Sequence, residues 1–150
     1  MNHWSDKLAL VFITAWVGAL WAVGYLAAPT LFTALSDKSL AGMLAGKMFT
    51  LVAYVGMVSG TYLLVQRLAR AGVSALRQPY FWIVLLMLLL ALAGHFGIHP
   101  VIAELKTQAM PADVMHSVFA DRFRTWHGVA SIAYLLQSLL GVVLVLKSGR

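Results

Sequence analysis

Long apolar runs separated by short polar stretches dominate the pattern of this 150-residue chain. Four runs are long enough to cross a hydrocarbon layer, which takes about 20 apolar residues in a helix. They cover residues 8–35, 41–65, 79–103 and 126–146, with approximate ends. The pattern predicts an all-α fold: a four-transmembrane-helix bundle that forms a single integral membrane domain over residues 1–150.

The segment between the third and fourth runs has a helical pattern of its own. Its length of about 22 residues exceeds what a compact helix connection needs. Apolar residues recur there at spacings of three and four, at Met115, Val118, Phe119, Phe123 and Trp126. This spacing predicts an amphipathic helix between spans three and four, lying at the membrane interface or leading into span four.

Small residues indicate how the first two spans pack. Span two has two GxxxG pairs, Gly42 with Gly46 and Gly56 with Gly60, which predict close packing against a neighbouring backbone. In span one, helical spacing places Thr14, Gly18, Trp21, Tyr25 and Ala28 on one face, and we expect that face to pack inside the bundle. Pro29 is expected to kink or end the first helix.

Composition supports a membrane protein and excludes several kinds of site. The chain is 61% hydrophobic and 11% charged, whereas soluble domains carry about 25% charged residues. It has no cysteine, which excludes disulfides and thiolate metal sites. The net charge of +6 comes from basic residues scattered at span ends, so we expect a lipid bilayer and no nucleic acid as partner.

The basic residues also bear on orientation in the membrane. Four spans place both termini and the 66–78 loop on one side, with six Lys and Arg residues against five on the other. The loop "QRLARAGVSALRQ" is rich in arginine and has no acid. The positive-inside rule therefore predicts a multi-pass protein of a bacterial inner membrane with both termini in the cytoplasm.

The histidines are the main candidates for chemistry. His95 and His99 lie one helical turn apart at the end of span three, and His127 opens span four on the same membrane side. Three imidazoles at one level would suit a transition metal. Haem b, held between His95 and His127, is a second reading. Hydrogen bonding at a helix end is the plain structural alternative.

Span four also carries a polar seam. Ser131, Tyr134 and Ser138 fall on the same face as His127, and a polar face of a membrane helix is expected to point into the bundle. No P-loop, GxSxG motif or pair of carboxylates within a span is present, so the residues point to a protein that is not an enzyme more than to an enzyme.

Four separated stretches resemble one family. "WVGALWAVGYLAAPTLF", "LAGMLAGKMF", "HFGIHPVIAEL" and "FRTWHGVAS" are similar to the transmembrane protein 205-like domain family. That resemblance covers nearly the whole chain and implies a small four-helix membrane protein, with no assigned reaction or ligand. A fainter likeness to the copper-resistance D and membrane protoporphyrinogen oxidase families rests on Trp16, Gly18 and Pro29. The histidine that those families carry in the first span is absent here.

Three hypotheses about function follow from these residues. In the first, the histidine cluster binds or transports a metal ion or a small solute. In the second, the protein is a structural or assembly subunit that packs against other membrane proteins or a second copy of itself. In the third, it is a b-type haem protein.

Overall fold

Four long helical spans build the molecule. The computed structural model describes the backbone of residues 3–148 and the side chains of residues 4–148, and it has no strand in that range. The predicted domain, 1–150, runs two residues past each end, outside the described residues. All four spans are long and apolar enough to cross a membrane, which confirms the predicted fold class.

The spans are divided as follows. Span one consists of α1 (His3–Ala22), a first π-helical segment (Val23–Ala27) and α2 (Ala28–Ala34). Span two is α3 (Lys38–Ala71), followed by a 3₁₀ turn at Gly72–Arg77. Span three consists of α4 (Pro79–Leu92), a second π-helical segment (Ala93–Ile98) and α5 (His99–Ala109), and span four is α6 (Ala120–Ser148).

The spans run alternately up and down in chain order around a closed ring. Each packs against the spans before and after it, and α6 of span four closes the ring against α1. The short connections favour this arrangement, because antiparallel neighbours need few residues to join them. We call the end of the bundle where α1 begins and α6 ends the terminal end, and the end that carries His95, His99 and His127 the histidine end.

A π-helical segment precedes each proline inside the spans, and the helix continues beyond the proline. Proline has no amide hydrogen and its ring collides with the carbonyl four residues earlier in an α-helix. The chain instead shifts to bonds five residues apart, so that Ala28 donates to the Val23 carbonyl and His99 to the Gly94 carbonyl. Span one thus continues to Ala34, and span three, which the sequence pattern ends near residue 103, continues to Ala109.

The connector after span three forms helix in two places. A short 3₁₀ turn, Val114–His116, is capped by the Asp113 carboxylate, which accepts from the Met115 amide. The continuous helix begins at Ala120 and therefore includes Phe123 and Trp126. The helical spacing of the connector is thus realised mainly as the first turns of span four, while Val118 stays 92% exposed.

The indole of Trp16 occupies the centre of the bundle and determines which face of span one is buried. It is fully buried, together with Leu20 of the same face. The predicted packing face of span one was wrong at Thr14, Gly18 and Trp21, which are exposed, and correct at Ala28, which is buried. Span one is apolar nearly all round, so its hydrophobic pattern does not show which face is buried and which faces lipid. The fit of the Trp16 indole inside the bundle selects the buried face.

Two glycines of span two form the space for this indole. A Cβ placed on Gly56 would lie 2.6 Å from Trp16 Nε1, and one on Gly60 would lie 3.1 Å from Trp16 Cη2. The second GxxxG pair therefore admits a side chain, where close approach of a backbone was expected. At Gly46 an added Cβ would meet nothing within 4 Å, so that residue of the first pair is not needed for packing.

Alanine at these glycines is expected to have unequal effects. Gly56→Ala should lower the free energy of unfolding by about 1–3 kcal/mol, because the methyl group displaces the buried indole. Gly46→Ala is the matched control on the same helix, with an expected change within about 0.5 kcal/mol. Reversible unfolding in mixed micelles, followed by tryptophan fluorescence, measures both. Equal stability of the two variants would contradict this account of Trp16.

Candidate functional site at the histidine end

His95 lies in the second π segment and is enclosed by aromatic rings. Its ring meets Tyr54 of span two edge-on at a centroid distance of 5.0 Å and its neighbour Phe96 at 4.7 Å. The Nδ1 atom is buried and has no hydrogen-bond partner among the described residues. An unpaired buried nitrogen is costly, so His95 holds hydrogen-bonding capacity that the fold does not use.

His99 follows on the same face as the first residue of α5. Its ring centroid lies 6.4 Å from that of His95, and the ring is partly buried. The two imidazoles are therefore brought together, as the spacing of the sequence suggests.

His127 lies apart from the contact between His95 and His99. It is exposed and stacks on Phe123, one turn earlier in α6, at a centroid distance of 5.7 Å with nearly parallel rings. Among the side chains of residues 4–148, no group of three His, Asp or Glu residues is placed so that it could hold a metal ion. The structure thus pairs His95 with His99, while the ring contact described for His127 is with Phe123.

Lys106 adds a charge to this end of the bundle. Its Nζ lies 5.8 Å from the centre of the Phe123 ring and 3.3 Å from the point where a Cβ on Gly42 would stand. Phe32 Cζ is 3.7 Å from the same point, so Phe32 also lies in this region, and we call Gly42, Phe32 and Phe123 the cup of Lys106. The side chain is partly buried, and among the described residues no ion pair within 4 Å involves it.

The charge of Lys106 decides which ligands suit the cluster. Lys106 follows His99 by seven residues, which places both on one helical face, and its ammonium acts electrostatically on His99. Asp113 acts on Lys106 in turn, from the connector. An ammonium near His99 repels a metal cation and attracts an anion.

The polar seam of span four serves mainly to hold helices together. Tyr134 donates its hydroxyl hydrogen to the Leu20 carbonyl of span one at 2.6 Å, and Gln137 donates to the Met87 carbonyl of span three at 3.1 Å. The two serines bond to their own helix, Ser131 to the His127 carbonyl and Ser138 to the Tyr134 carbonyl. Ser138 is buried, whereas Ser131 is exposed near the histidine end.

Sequence reasoning did not single out Lys106 and Phe123 as members of the site. The sequence did contain a signal, because Lys106 lies about two helical turns beyond His99 and about three beyond His95, on the same face. It went unused because the apolar run of span three ends near residue 103, before Lys106. The contact between Lys106 and Phe123 joins two different helices, so the spacing of residues along either helix does not predict it.

One known protein family matches the chain. The sequence pattern described as a domain of unknown function, DUF4149, matches residues 11–111. The chain belongs to the DUF4149 family. The matched range contains His95, His99 and Lys106 and stops before His127. No curated protein and no solved structure matches the chain. The name transmembrane protein 205-like, suggested by resemblance, is not given by this match.

The hydroxyl of Tyr134 offers a test of the seam. Tyr134→Phe should lower the free energy of unfolding by about 1–2 kcal/mol, because it leaves the Leu20 carbonyl without this partner while keeping the ring. Tyr25→Phe is the control, since that hydroxyl makes no hydrogen bond in the described structure and its ring also packs in this group. Unfolding in mixed micelles measures both, and an unchanged stability of Tyr134→Phe would contradict a linking role.

Proposed function

We propose that this integral membrane protein binds a small anionic solute, a carboxylate or a phosphate, at the histidine end. The binding element is the basic cluster, defined as His95, His99 and Lys106. The observation that carries the proposal is the Lys106 ammonium, which is held in a cup of Gly42, Phe32 and Phe123 without an ion-pair partner in the described part of the chain.

The chemistry of the cluster suits an anion. A partly buried ammonium is stabilised by a counter-charge, and oxygen atoms of a carboxylate or phosphate accept hydrogen bonds from ammonium and imidazole N–H groups. The phenylalanine rings reduce contact with water, which strengthens electrostatic attraction at this point. The unpartnered Nδ1 of His95 supplies a further polar atom on the same helical face.

A transition metal is the second candidate. It is favoured by the 6.4 Å separation of the His95 and His99 rings, which small rotations would bring to chelating distance. Two imidazoles provide half of a tetrahedral set, so the remaining ligands would come from solvent or from a solute.

Titration calorimetry of the detergent-purified protein separates these candidates. Inorganic phosphate and acetate are the anionic probes, and Zn²⁺ is titrated separately in a phosphate-free buffer. Lys106→Gln should weaken anion binding at least about tenfold, corresponding to the loss of roughly 1.4 kcal/mol for a charged contact. Lys47→Gln, an exposed lysine at the same end, is the control and should leave anion binding unchanged.

The outcomes are distinct. Zn²⁺ binding that is lost in His95→Ala/His99→Ala, with no binding of either anion, would favour the metal and contradict the anion. An absorption spectrum of the same sample reports haem by its Soret band. Absence of all binding would contradict a ligand site at the histidine end.

We also propose that the protein lies in a bacterial inner membrane with both termini in the cytoplasm, and that it is related to the transmembrane protein 205-like proteins. The second part rests on the four resembling motifs. The first rests on Arg67, Arg70 and Arg77 in the 66–78 stretch, which has no acidic residue.

Reporter fusions test this orientation. Green fluorescent protein attached after Arg150 is expected to fluoresce, because it folds in the cytoplasm, and alkaline phosphatase at the same point is expected to be inactive. The same reporters inserted after Ala112 in the connector should give the opposite pair of signals. Active phosphatase at the C-terminus would reverse the orientation.

A further inference from the structure

Spans one and three are interrupted in the same way. In each, a π segment is followed by one residue and then by a proline: Val23–Ala27 before Pro29, and Ala93–Ile98 before Pro100. Each π segment also meets a tyrosine from a neighbouring span. Tyr134 of span four packs at the first segment and Tyr54 of span two at the second. Matching interruptions in the two halves of a membrane protein commonly mark a moving or binding region.

The first π segment is held by its tyrosine. The Tyr134 hydroxyl donates to the Leu20 carbonyl at 2.6 Å and so ties span four to the backbone of span one just before the π segment. The ring lies against Gly24 so closely that an added Cβ would be 2.9 Å from Tyr134 Cζ. Motion at this segment would break a buried hydrogen bond and a tight ring contact.

The second π segment has no comparable hydrogen bond from its tyrosine, Tyr54. Tyr54 is 50% exposed and meets His95 by a ring edge, with no hydrogen bond between them. Gly94 and Gly97 both have free space where a Cβ would stand, and two glycines before a proline make a backbone that rotates easily. The unpartnered His95 Nδ1 adds no bond that would have to be broken.

We infer that the second π segment is a pivot for α5 and that Tyr134 locks the equivalent segment of span one. Because His99 and Lys106 lie on α5, its motion moves both relative to span two and span four. In the described position Leu105 and Ala109 are buried and Lys106 occupies its cup. Swinging α5 outward withdraws the ammonium from Phe123, and this opens the basic cluster to solvent.

Spin-label distances test the pivot without any ligand. The chain has no cysteine, so introduced cysteines are labelled selectively. Val73→Cys, in the exposed turn at the terminal end, is paired with Gln108→Cys on α5 or with Thr33→Cys on α2. Frozen samples preserve the range of positions that a hinge visits on slower timescales. We expect a wide or two-peaked distance distribution for the Gln108 pair and a single narrow one for the Thr33 pair.

Two substitutions sharpen the test. Pro100→Ala restores an amide that can donate to the Phe96 carbonyl, so it should narrow the Gln108 distribution, and Pro29→Ala is the control that should leave it unchanged. Tyr134→Phe should widen the Thr33 distribution alone. Equally narrow distributions for both label pairs, or no response to Pro100→Ala, would overturn the pivot.

Adding inorganic phosphate then relates the pivot to the proposed ligand. If both ideas hold, phosphate shifts the Gln108 distribution toward its shorter or longer component, and Lys106→Gln abolishes that shift. A wide distribution that ignores phosphate supports the pivot and counts against the proposed anion. Phosphate binding by calorimetry with a single narrow distribution supports the anion and contradicts the pivot.

Discussion

Backbone hydrogen bonding inside hydrocarbon is the constraint on which this structure depends, because an amide or carbonyl without a partner there costs several kcal/mol. Two prolines interrupt that bonding, one in each half of the chain. The π segments re-form the bonds at a spacing of five residues, so both spans cross without a break. The position of Lys106 follows from this, since α5 lies beyond Pro100 in span three.

The same interruption has opposite consequences in the two halves. In span one, the Tyr134 hydroxyl donates to the Leu20 carbonyl, and Gly24 leaves room for its ring. In span three, the corresponding region carries His95 with an unused nitrogen and two glycines in open space. The pivot and the anion site that we propose both lie in the half without this hydrogen bond.

Packing at the centre of the bundle and charge at its end are separate matters. Trp16 in the space left by Gly56 and Gly60 determines how span one is rotated, and this directs its Leu20 carbonyl toward span four. Far from that centre, Lys106 is placed by Gly42 and Phe123 rather than by a carboxylate. Gly56 and Gly60 make room for the indole ring of Trp16, and Gly42 makes room for the ammonium group of Lys106.

The sequence by itself determined that the chain forms four membrane-crossing helices, because long apolar runs have no other stable arrangement in a bilayer. It also determined that His95 and His99 share a helical face, since that follows from local geometry alone. The buried face of span one, the continuation through Pro100 and the meeting of Lys106 with Phe123 were decided by tertiary structure. Span one is apolar nearly all round, so its pattern does not select a buried face, and the fit of the Trp16 indole does. Span three continues past Pro100 through hydrogen bonds five residues apart, and the contact of Lys106 with Phe123 joins two helices, so neither follows from the spacing of residues along one helix.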